Sequence, residues 1–173
     1  MEAKLLPIIL RTGQKPVGLT GAGQSLIRRR KTLTDADLRP VEIGPEAVEA
    51  EVLGALSALF IAGLPKFQAA NIAARARAAS VLVNVEDEPE LCDFYVPAVI
   101  RRGDLLIAVS TSGKSPGLAK LLRQWIERRL GLEWADHVAK ANHARAQWQD
   151  DGHAPDVVSR KTGALVAERG WLP

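Results

Sequence analysis

The sequence predicts an α/β fold built around a mostly parallel sheet. Two observations support this prediction. Short apolar segments alternate with longer helical patterns from residue 16 to residue 130, and a turn with two glycines, GAGQSL at 21–26, separates the first apolar segment from the first helical pattern. Strands that alternate with helices pair in parallel through right-handed crossovers. A chain of 173 residues, 47% of them hydrophobic, is long enough for one domain or for a domain with a small appendage.

The individual elements follow from local patterns. Each predicted strand is a short apolar segment, and each predicted helix has apolar residues three and four apart or an Ala- and Arg-rich composition. The strands are expected at 16–20, 40–43, 58–63, 81–85 and 104–111. The helices are expected at 21–33, 45–56, 66–79, 115–130 and 132–151. Residues 44–57 are too few for a helix, a strand and another helix, so the sheet is expected to be truncated by one strand.

The composition limits the compartment and the partners. Cys92 is the single cysteine, so no internal disulfide can form, and a reducing, cytoplasmic location is expected. No uninterrupted apolar segment reaches about 18 residues, so no membrane span is expected. The net charge of +3 is small, but the block Arg28–Lys31 is densely basic and suits a phosphate backbone or a polyanionic small molecule equally well.

The GAGQSL turn predicts a dinucleotide site of the Rossmann type. Gly21 and Gly23 follow a strand and precede a helix, so they would let a pyrophosphate approach the N–H groups at the helix N-terminus. The acidic partner of the ribose, expected about 20 residues further on, would be Glu42. Leu26 stands where a small residue normally permits close packing of helix and strand. A glycine turn without a ligand therefore stays open as the alternative.

The segment STSGKSP, at 110–116, predicts an anion-binding loop. Gly113, Lys114 and Ser115 resemble the end of a P-loop, but Ala108 stands where that motif needs a glycine, so a P-loop is excluded. What remains is a hydroxyl- and glycine-rich loop between a strand and a helix, whose N–H groups and lysine could contact carboxylates. A plain N-cap loop is the alternative.

An acidic cluster follows the strand at 81–85 and surrounds Cys92. Its five carboxylates belong to Glu86, Asp87, Glu88, Glu90 and Asp93. The cluster could be a solvated loop, a site for a hard cation or the source of an acid–base group. Asp87 ranks first among the five because it lies just past the carboxyl end of a strand, where ligands of open α/β sheets bind. The three histidines are too scattered to predict a metal site, and no metal-ligating residue is predicted.

These segments together resemble the siroheme synthase N-terminal family, which comprises precorrin-2 dehydrogenases, some of which also act as sirohydrochlorin ferrochelatases. The resemblance rests on LLPIIL and VGLTGAGQSLIRRRK near the N-terminus, and above all on the long block LVNVEDEPELCDFYVPAVIRRGDLLIAVSTSGKSPGLAKLLR at 82–123. It implies a Rossmann-like domain followed by a C-terminal helical segment that forms a homodimer.

The resemblance also implies the activity and the residues that perform it. The activity is NAD-dependent oxidation of the tetrapyrrole precorrin-2 to sirohydrochlorin, with Fe2+ as a further substrate where chelation occurs. Asp87 matches the acid of the family's NVxD motif and is the expected catalytic residue. The expected cofactor-binding residues are Gly21, Ala22, Gly23, Gln24, Ser25 and Glu42. The expected substrate-binding residues are Ser110, Thr111, Gly113, Lys114, Ser115 and Arg101. The dinucleotide-binding domain is expected at 1–112, and the helical dimerisation and tetrapyrrole-cleft segment at 113–173.

Two other functions remain open. A sirohydrochlorin metal chelatase, or a tetrapyrrole-binding protein with a degenerate NAD site, is favoured by the shortened N-terminal half and by Gly63-Leu64-Pro65, where relatives usually carry a threonine and acids. A nucleotide- or nucleic-acid-binding regulatory module would use the basic block Arg28–Lys31. That module does not account for the block at 82–123, so no nucleic-acid partner is expected.

Overall fold

The computed structural model describes residues 5–172, and the chain divides into two compact units, one up to Tyr95 and one from Val96. In the N-terminal unit the strands are β1 (Val17–Gly21), β2 (Val41–Glu42), β3 (Ala58–Ala62) and β4 (Leu82–Val85). The α-helices are α1 (Gly23–Thr34), α2 (Ala50–Gly54) and α3 (Lys66–Ala78). Short 3-10 turns are present at Pro45–Ala47 and Pro89–Leu91.

The four strands form one parallel sheet in the order β2-β1-β3-β4. This sheet confirms the predicted α/β fold. The chain runs from β1 outward to β2 on one side and then returns to β3 on the other side, so the order of the strands reverses between β1 and β3. Ligands of open α/β sheets bind at this switch point, outside the carboxyl ends of the strands. The GAGQSL turn follows β1 and therefore begins at the expected place.

Both faces of the sheet are covered by helices because the strands are apolar on both sides. Leu59 and Ile61 of β3 belong to a buried cluster on the face covered by α2 and α3, and the alanines of α3 let that helix lie close to the sheet. Phe60, between them in sequence, points to the opposite face and packs with Leu19 of β1 and Leu33 of α1. The strands thus follow the alternation expected of a sheet that is buried on both faces.

The connection between β2 and β3 is short, as the sequence predicts. It contains the 3-10 turn at Pro45–Ala47 and the five-residue helix α2. Val48 and Leu53 are fully buried and fix this segment against the sheet. No further strand lies between β2 and β3, so the sheet in the described part of the chain has four strands.

The C-terminal unit is an antiparallel hairpin followed by three helices. The elements are β5 (Ala98–Arg102), β6 (Leu105–Val109), α4 (Pro116–Glu127), α5 (Trp134–Asp150) and α6 (Pro155–Glu168). The strand predicted at 104–111 exists as β6, but it pairs with β5 in a sheet of its own and not with the parallel sheet. This part of the prediction was wrong because residues 98–102 form a strand that brings its partner back across a two-residue turn.

The helix α4 leaves an apolar face exposed. Ala119 is buried, but Leu121 is 63% exposed and Trp125 is 49% exposed, and Leu118 and Leu122 continue the same face. Such a contiguous apolar face on a helix is typical of an interaction surface. Within residues 5–172, no helix combines the length and the apolar character that a membrane crossing requires.

Candidate active site

Two glycines let the ends of β1 and β3 approach each other at the switch point. A Cβ atom on Gly21, the last residue of β1, would lie 1.9 Å from the carbonyl oxygen of Ala62. A Cβ atom on Gly63, directly after β3, would lie 2.3 Å from the carbonyl oxygen of Ala22. The Ala22 N–H donates to the Ala62 carbonyl at 3.0 Å and joins the two strand ends. A side chain at either glycine would therefore push these strand ends apart.

The N-terminus of α1 fits the pyrophosphate of a dinucleotide. Ala22 occupies the N-cap and offers no capping side chain, and no acidic residue lies in the first turn. Gly23 has a φ of 62°, and a Cβ atom there would meet nothing within 4 Å, so the approach to the backbone is open. Gln24 is exposed, and Ser25 accepts a hydrogen bond from Arg28 at 2.7 Å. Uncapped N–H groups with an open approach bind anions.

Leu26 does not block this arrangement. Its side chain packs against the buried cluster of Leu19, Leu33 and Phe60 between α1 and the sheet. The larger side chain at this position therefore contributes to the core beneath α1, and the turn at Gly21–Gly23 keeps its form.

Glu42 ends β2, beside β1, where the acidic partner of a ribose is expected. Its carboxylate pairs with Arg30 of α1: Arg30 Nη2 donates a hydrogen bond to Glu42 Oε2 at 2.7 Å, and Arg30 Nε lies 2.6 Å from Glu42 Oε1 in an ion-pair contact without hydrogen-bond geometry. Both side chains are partly exposed. The ion pair fixes the orientation of the carboxylate and leaves it accessible from solvent. Sequence reasoning missed Arg30 because the pair joins two elements.

Two ion-pair groups hold the acidic residues on either side of Asp87. Glu86 is largely buried, and its carboxylate lies 4.0 Å from Arg28 Nη2 and 3.9 Å from Arg29 Nη2. Lys66, at the start of α3, binds Glu88 at 2.6 Å and also pairs with Glu90. The hydrogen bond from Lys66 lowers the pKa of Glu90 to about 2, and the two carboxylates raise the pKa of Lys66 above its usual range. Sequence reasoning did not single out Lys66.

Cys92 and Asp93 close the outer edge of β4. The Asp93 carboxylate accepts from the Val83 N–H at 2.9 Å, and the Asp93 N–H donates to the Val83 carbonyl at 2.8 Å. The Cys92 Sγ lies 3.2 Å from both the N–H and the carbonyl oxygen of Val85. Burial raises the pKa of the Cys92 thiol, so the group stays neutral and structural. Arg77 donates to Asp93 at 2.8 Å and completes the arrangement.

Asp87 is the one acid of the cluster that takes no part in the ion pairs and hydrogen bonds of the other four. Its side chain is exposed, and no hydrogen bond or ion pair joins it to another residue in the described part of the chain. Its φ of 60° is a left-handed conformation, which is uncommon for residues other than glycine and often found at functional sites. Because Glu86 and Glu88 are held on either side, the backbone presents Asp87 beyond the carboxyl end of β4. The side chain is therefore accessible to a ligand.

In the C-terminal unit, hydroxyl groups brace the loop between β6 and α4. Ser110 Oγ accepts from the Ser112 N–H at 3.1 Å, and Thr111 Oγ1 accepts from the Ser115 N–H at 3.1 Å. Ser115 is the N-cap of α4, and its hydroxyl accepts from the Leu118 N–H at 3.4 Å. Each of the three hydroxyls thus accepts a backbone hydrogen bond, and together they fix the conformation of the loop.

The tip of this loop is exposed. Ser112 and Gly113 have φ values of 56° and 77°, so two successive residues are left-handed, and Lys114 follows them at the surface. The N–H groups of Ser112, Lys114 and Ser115 donate within the loop, to Ser110 Oγ, the Thr111 carbonyl and Thr111 Oγ1. The predicted substrate-binding residues Ser110, Thr111, Gly113, Lys114 and Ser115 all belong to this loop.

Arg101 and Arg102 have different surroundings. Arg102 is 13% exposed, and its guanidinium donates to the carbonyls of Leu130 at 2.9 Å and Gly131 at 3.2 Å, just past the C-terminus of α4. The Glu127 carboxylate oxygen Oε1 lies 3.7 Å from Arg102 Nη1 and forms an ion pair with it. Arg101 points into solvent near the turn of the hairpin. Three residues of β5 separate it from the end of the hairpin that precedes the 110–115 loop, which is about 10 Å along a strand.

No cluster of three or more His, Cys, Asp or Glu side chains able to hold a metal ion is present within residues 5–172. The four side chains of the basic block Arg28–Lys31 all have acidic partners, as Lys31 pairs with Asp35 at 2.7 Å and the three arginines pair as described above. Local ion pairs thus account for this block. The N-terminal unit thus has a glycine-bounded switch point and an exposed aspartate after β4, and the C-terminal unit has an exposed loop with Lys114 at its tip.

Comparisons with known proteins give two family matches and several relatives. A family model described as "Putative NAD(P)-binding" matches residues 8–98, more than half of the chain, and one described as "Sirohaem biosynthesis protein central" matches residues 102–129. Siroheme synthase 1 of Aeromonas salmonicida is 30% identical over 162 residues, which cover 82% of this chain and 34% of that protein. The siroheme synthase of Methylococcus capsulatus is 35% identical over 141 residues, which cover 70% of this chain and 30% of that protein.

The solved structure titled "SirC, precorrin-2 dehydrogenase" has a similar fold. Its TM-score is 0.63 at 17% identity, and the match covers 94% of this chain and 89% of that chain. The sheet and the longer family match define the class of protein as an NAD(P)-binding α/β protein. The two family models, in this order on one chain, and the siroheme synthase relatives show that the chain belongs to the siroheme synthase N-terminal family. It spans about a third of the length of the curated relatives it matches.

Proposed function

We propose that this chain is an NAD-dependent precorrin-2 dehydrogenase that oxidises precorrin-2 to sirohydrochlorin in siroheme biosynthesis, in the cytoplasm. The observation that carries the proposal is Asp87: an exposed acid in a left-handed conformation, past the end of β4 in a chain of this family. The open N-terminus of α1 supports the nicotinamide dinucleotide as the cofactor.

The reaction removes a hydride and a proton from the tetrapyrrole. NAD, when bound, supplies the hydride acceptor. The Asp87 carboxylate accepts the proton and becomes a carboxylic acid, and its exposure lets it return the proton to solvent before the next turnover. Gly21, Gly23 and Gly63 keep the switch point free of side chains, so that the dinucleotide can lie against the backbone. No step in this scheme needs a further oxidant.

The substrate carries many carboxylates, and the C-terminal unit offers groups of opposite charge. Lys114 lies at the exposed tip of the loop, and Arg101 is exposed on the hairpin. Charge-assisted hydrogen bonds from such groups are among the strongest available for holding a carboxylate. Their role in this proposal is to bind the edge of the macrocycle. Asp87 has a separate role in the chemistry.

The proposal includes a homodimer formed through α4. Leu118, Leu121, Leu122 and Trp125 present a continuous apolar face, and Arg129 stacks on the Trp125 ring at 3.6 Å from its centroid. A second copy of the same face would cover these side chains in a symmetric contact. Replacing Leu121 with Glu should shift the protein from dimer to monomer in sedimentation experiments.

The test of the activity compares two exposed aspartates in the same backbone conformation. Asp87 has a φ of 60°, and Asp37, after α1, has a φ of 62°. The substitution Asp87→Asn keeps a residue that tolerates this conformation but removes the proton acceptor. We expect the rate of NADH formation from precorrin-2 to fall by about a hundred- to ten-thousand-fold. Asp37→Asn should leave the rate unchanged, and both variants should retain sirohydrochlorin binding. Equal rates in wild type and Asp87→Asn would refute the assignment.

A second candidate function is sirohydrochlorin metal chelation, or tetrapyrrole binding, without a redox step. It is favoured by the short connection between β2 and β3, which shortens the cofactor half of the fold. Iron, as Fe2+, would be a substrate in that case. Absorbance spectra separate the candidates: conversion of precorrin-2 that requires NAD supports the dehydrogenase. Insertion of Fe2+ or Co2+ into supplied sirohydrochlorin without NAD, with no conversion of precorrin-2, supports the chelatase.

A further inference from the structure

The end of β2 carries two opposite charges that a dinucleotide would meet together. Glu42 is the last residue of the strand beside β1, and Arg30 of α1 holds both of its oxygens at 2.6 and 2.7 Å. In open α/β folds an acid at this place binds the ribose hydroxyls of NAD, whereas an arginine nearby accommodates the 2′-phosphate of NADP. This chain has both groups, already joined as an ion pair.

Resting on the proposed dinucleotide site, we infer that Glu42 and Arg30 act as one specificity pair: Arg30 positions Glu42 to select NAD, and the same arginine forms a latent site for a 2′-phosphate. A carboxylate has about four acceptor positions, and the hydrogen bond from Arg30 Nη2 occupies one of them on Glu42 Oε2, while Arg30 Nε lies beside Oε1 without donating a hydrogen bond to it. The remaining positions can accept the ribose hydroxyls. Because this hydrogen bond and the ion-pair contact restrain the carboxylate, little side-chain freedom is lost when the ribose binds.

The same arrangement disfavours NADP. A 2′-phosphate would have to displace Glu42 from Arg30 or lie against the carboxylate, and both arrangements are electrostatically unfavourable. If the carboxylate is removed, Arg30 becomes available with its planar fork of donors, which suits phosphate. The neighbouring basic residues are held elsewhere: Arg28 binds Ser25 at 2.7 Å, and Lys31 binds Asp35 at 2.7 Å. The gain of NADP binding should therefore depend on Arg30.

The experiment measures the dissociation constants of NAD and NADP by calorimetry for the full chain in four forms. These are the wild type, Glu42→Ser, Arg30→Met and the double variant. For wild type we expect NAD to bind at least about tenfold more tightly than NADP, the size of one charge-assisted hydrogen bond. Glu42→Ser should weaken NAD and strengthen NADP by about tenfold each, which reverses the preference.

Arg30→Met tests whether Arg30 and Glu42 act together or whether Glu42 alone binds the ribose. It should weaken NAD severalfold without any gain for NADP, and the double variant should lose the NADP affinity that Glu42→Ser gains. Lys31→Met is the matched control, because it removes an ion pair of the same helix. The side chains of that pair, Lys31 and Asp35, are 75% and 61% exposed. Its affinities should equal those of wild type. Circular dichroism establishes that every variant is folded before it is titrated.

The outcomes are distinguishable. Equal affinities of wild type for NAD and NADP, or an NADP gain in Glu42→Ser that persists in the double variant, would overturn the specificity pair while leaving the dinucleotide site intact. If folded wild type binds neither dinucleotide, the proposed cofactor site fails and the pair fails with it. Reversal of the preference in Glu42→Ser, lost in the double variant, supports the inference.

Discussion

The Asp93 carboxylate accepts a hydrogen bond from the Val83 N–H at 2.9 Å, so a side chain occupies the place where the carbonyl of a fifth strand would lie. The Asp93 N–H completes the pairing by donating to the Val83 carbonyl. This relationship explains much of the acidic cluster after β4. One acid closes the sheet, three are held by basic side chains, and Asp87 is left exposed for the proposed chemistry.

Removal of the Asp93 carboxylate should therefore destabilise the N-terminal unit. Asp93→Ala leaves the Val83 N–H without its acceptor and leaves Arg77 with only the Leu91 carbonyl, and we expect a loss of about 2 kcal/mol in the free energy of unfolding. The measurement is urea denaturation followed by circular dichroism. Asp35→Ala is the control, because Asp35, directly after α1, forms an exposed ion pair with Lys31 that should contribute at most about 0.5 kcal/mol. A similar small effect for both variants would show that Asp93 does not close the edge.

Adjacent arginines should separate stability from ligand binding in the C-terminal unit. Arg102→Ala removes the hydrogen bonds to the carbonyls that follow α4, and we expect it to destabilise the protein by about 2 kcal/mol. Arg101→Ala should change stability by less than about 0.5 kcal/mol, since its side chain is exposed. Under the proposed function, Arg101→Ala should weaken sirohydrochlorin binding in absorbance titrations. Identical unfolding midpoints for the two variants would contradict the assignment of Arg102.

The two glycines of the GAGQSL turn should differ in their response to alanine. Gly21→Ala would place Cβ 1.9 Å from the Ala62 carbonyl oxygen, and we expect a loss of about 3 kcal/mol or failure to accumulate as folded protein. At Gly23 the space is open, so alanine meets only the strain of a φ of 62°, about 1 kcal/mol. Folded Gly23→Ala should bind NAD less tightly in calorimetry, because its methyl group lies on the approach to the helix N-terminus.

Lys66 should control the acid titration of Glu90. The pKa of Glu90 is lowered to about 2 from 4.5, chiefly by the hydrogen bond from Lys66. A lowered pKa in the folded state means that this contribution to stability is present above pH 4.5 and is lost as the pH falls through about 2. In Lys66→Met, the pKa of Glu90 should return toward 4.5, as followed by carboxyl carbon NMR. Added salt should reduce the difference, since the groups are exposed.

Sequence patterns predict the N-terminal unit well because its strands and helices can be recognised from residues that are close together in the sequence. The strands β1 to β4 are apolar segments between turns, and α1 and α3 begin after a glycine turn and a proline. The glycines at 21 and 23 lie where the motif places them, and the side chain of Asp87 lies exposed past β4. Each of these features follows from a few neighbouring residues.

The features that the sequence did not predict depend on pairing between distant segments. The apolar pattern of β6 is the same in a parallel and an antiparallel sheet, so its partner cannot be inferred from its own residues. The turn Gly103-Asp104 carries the missing information, since a two-residue turn that starts with glycine is typical of hairpins, and Gly103 has a φ of 56°. Likewise, Arg30 meets Glu42 only when α1 packs beside β2.

The protected edge of β4 also affects the tendency of the protein to aggregate at high concentration. Long unpaired strands recruit strands of other molecules and template aggregation. In the described residues, one side of the parallel sheet is sealed by Asp93 and Cys92, and the opposite side ends in β2, which has two residues. We therefore expect the parallel sheets of neighbouring copies not to join edge to edge at high concentration.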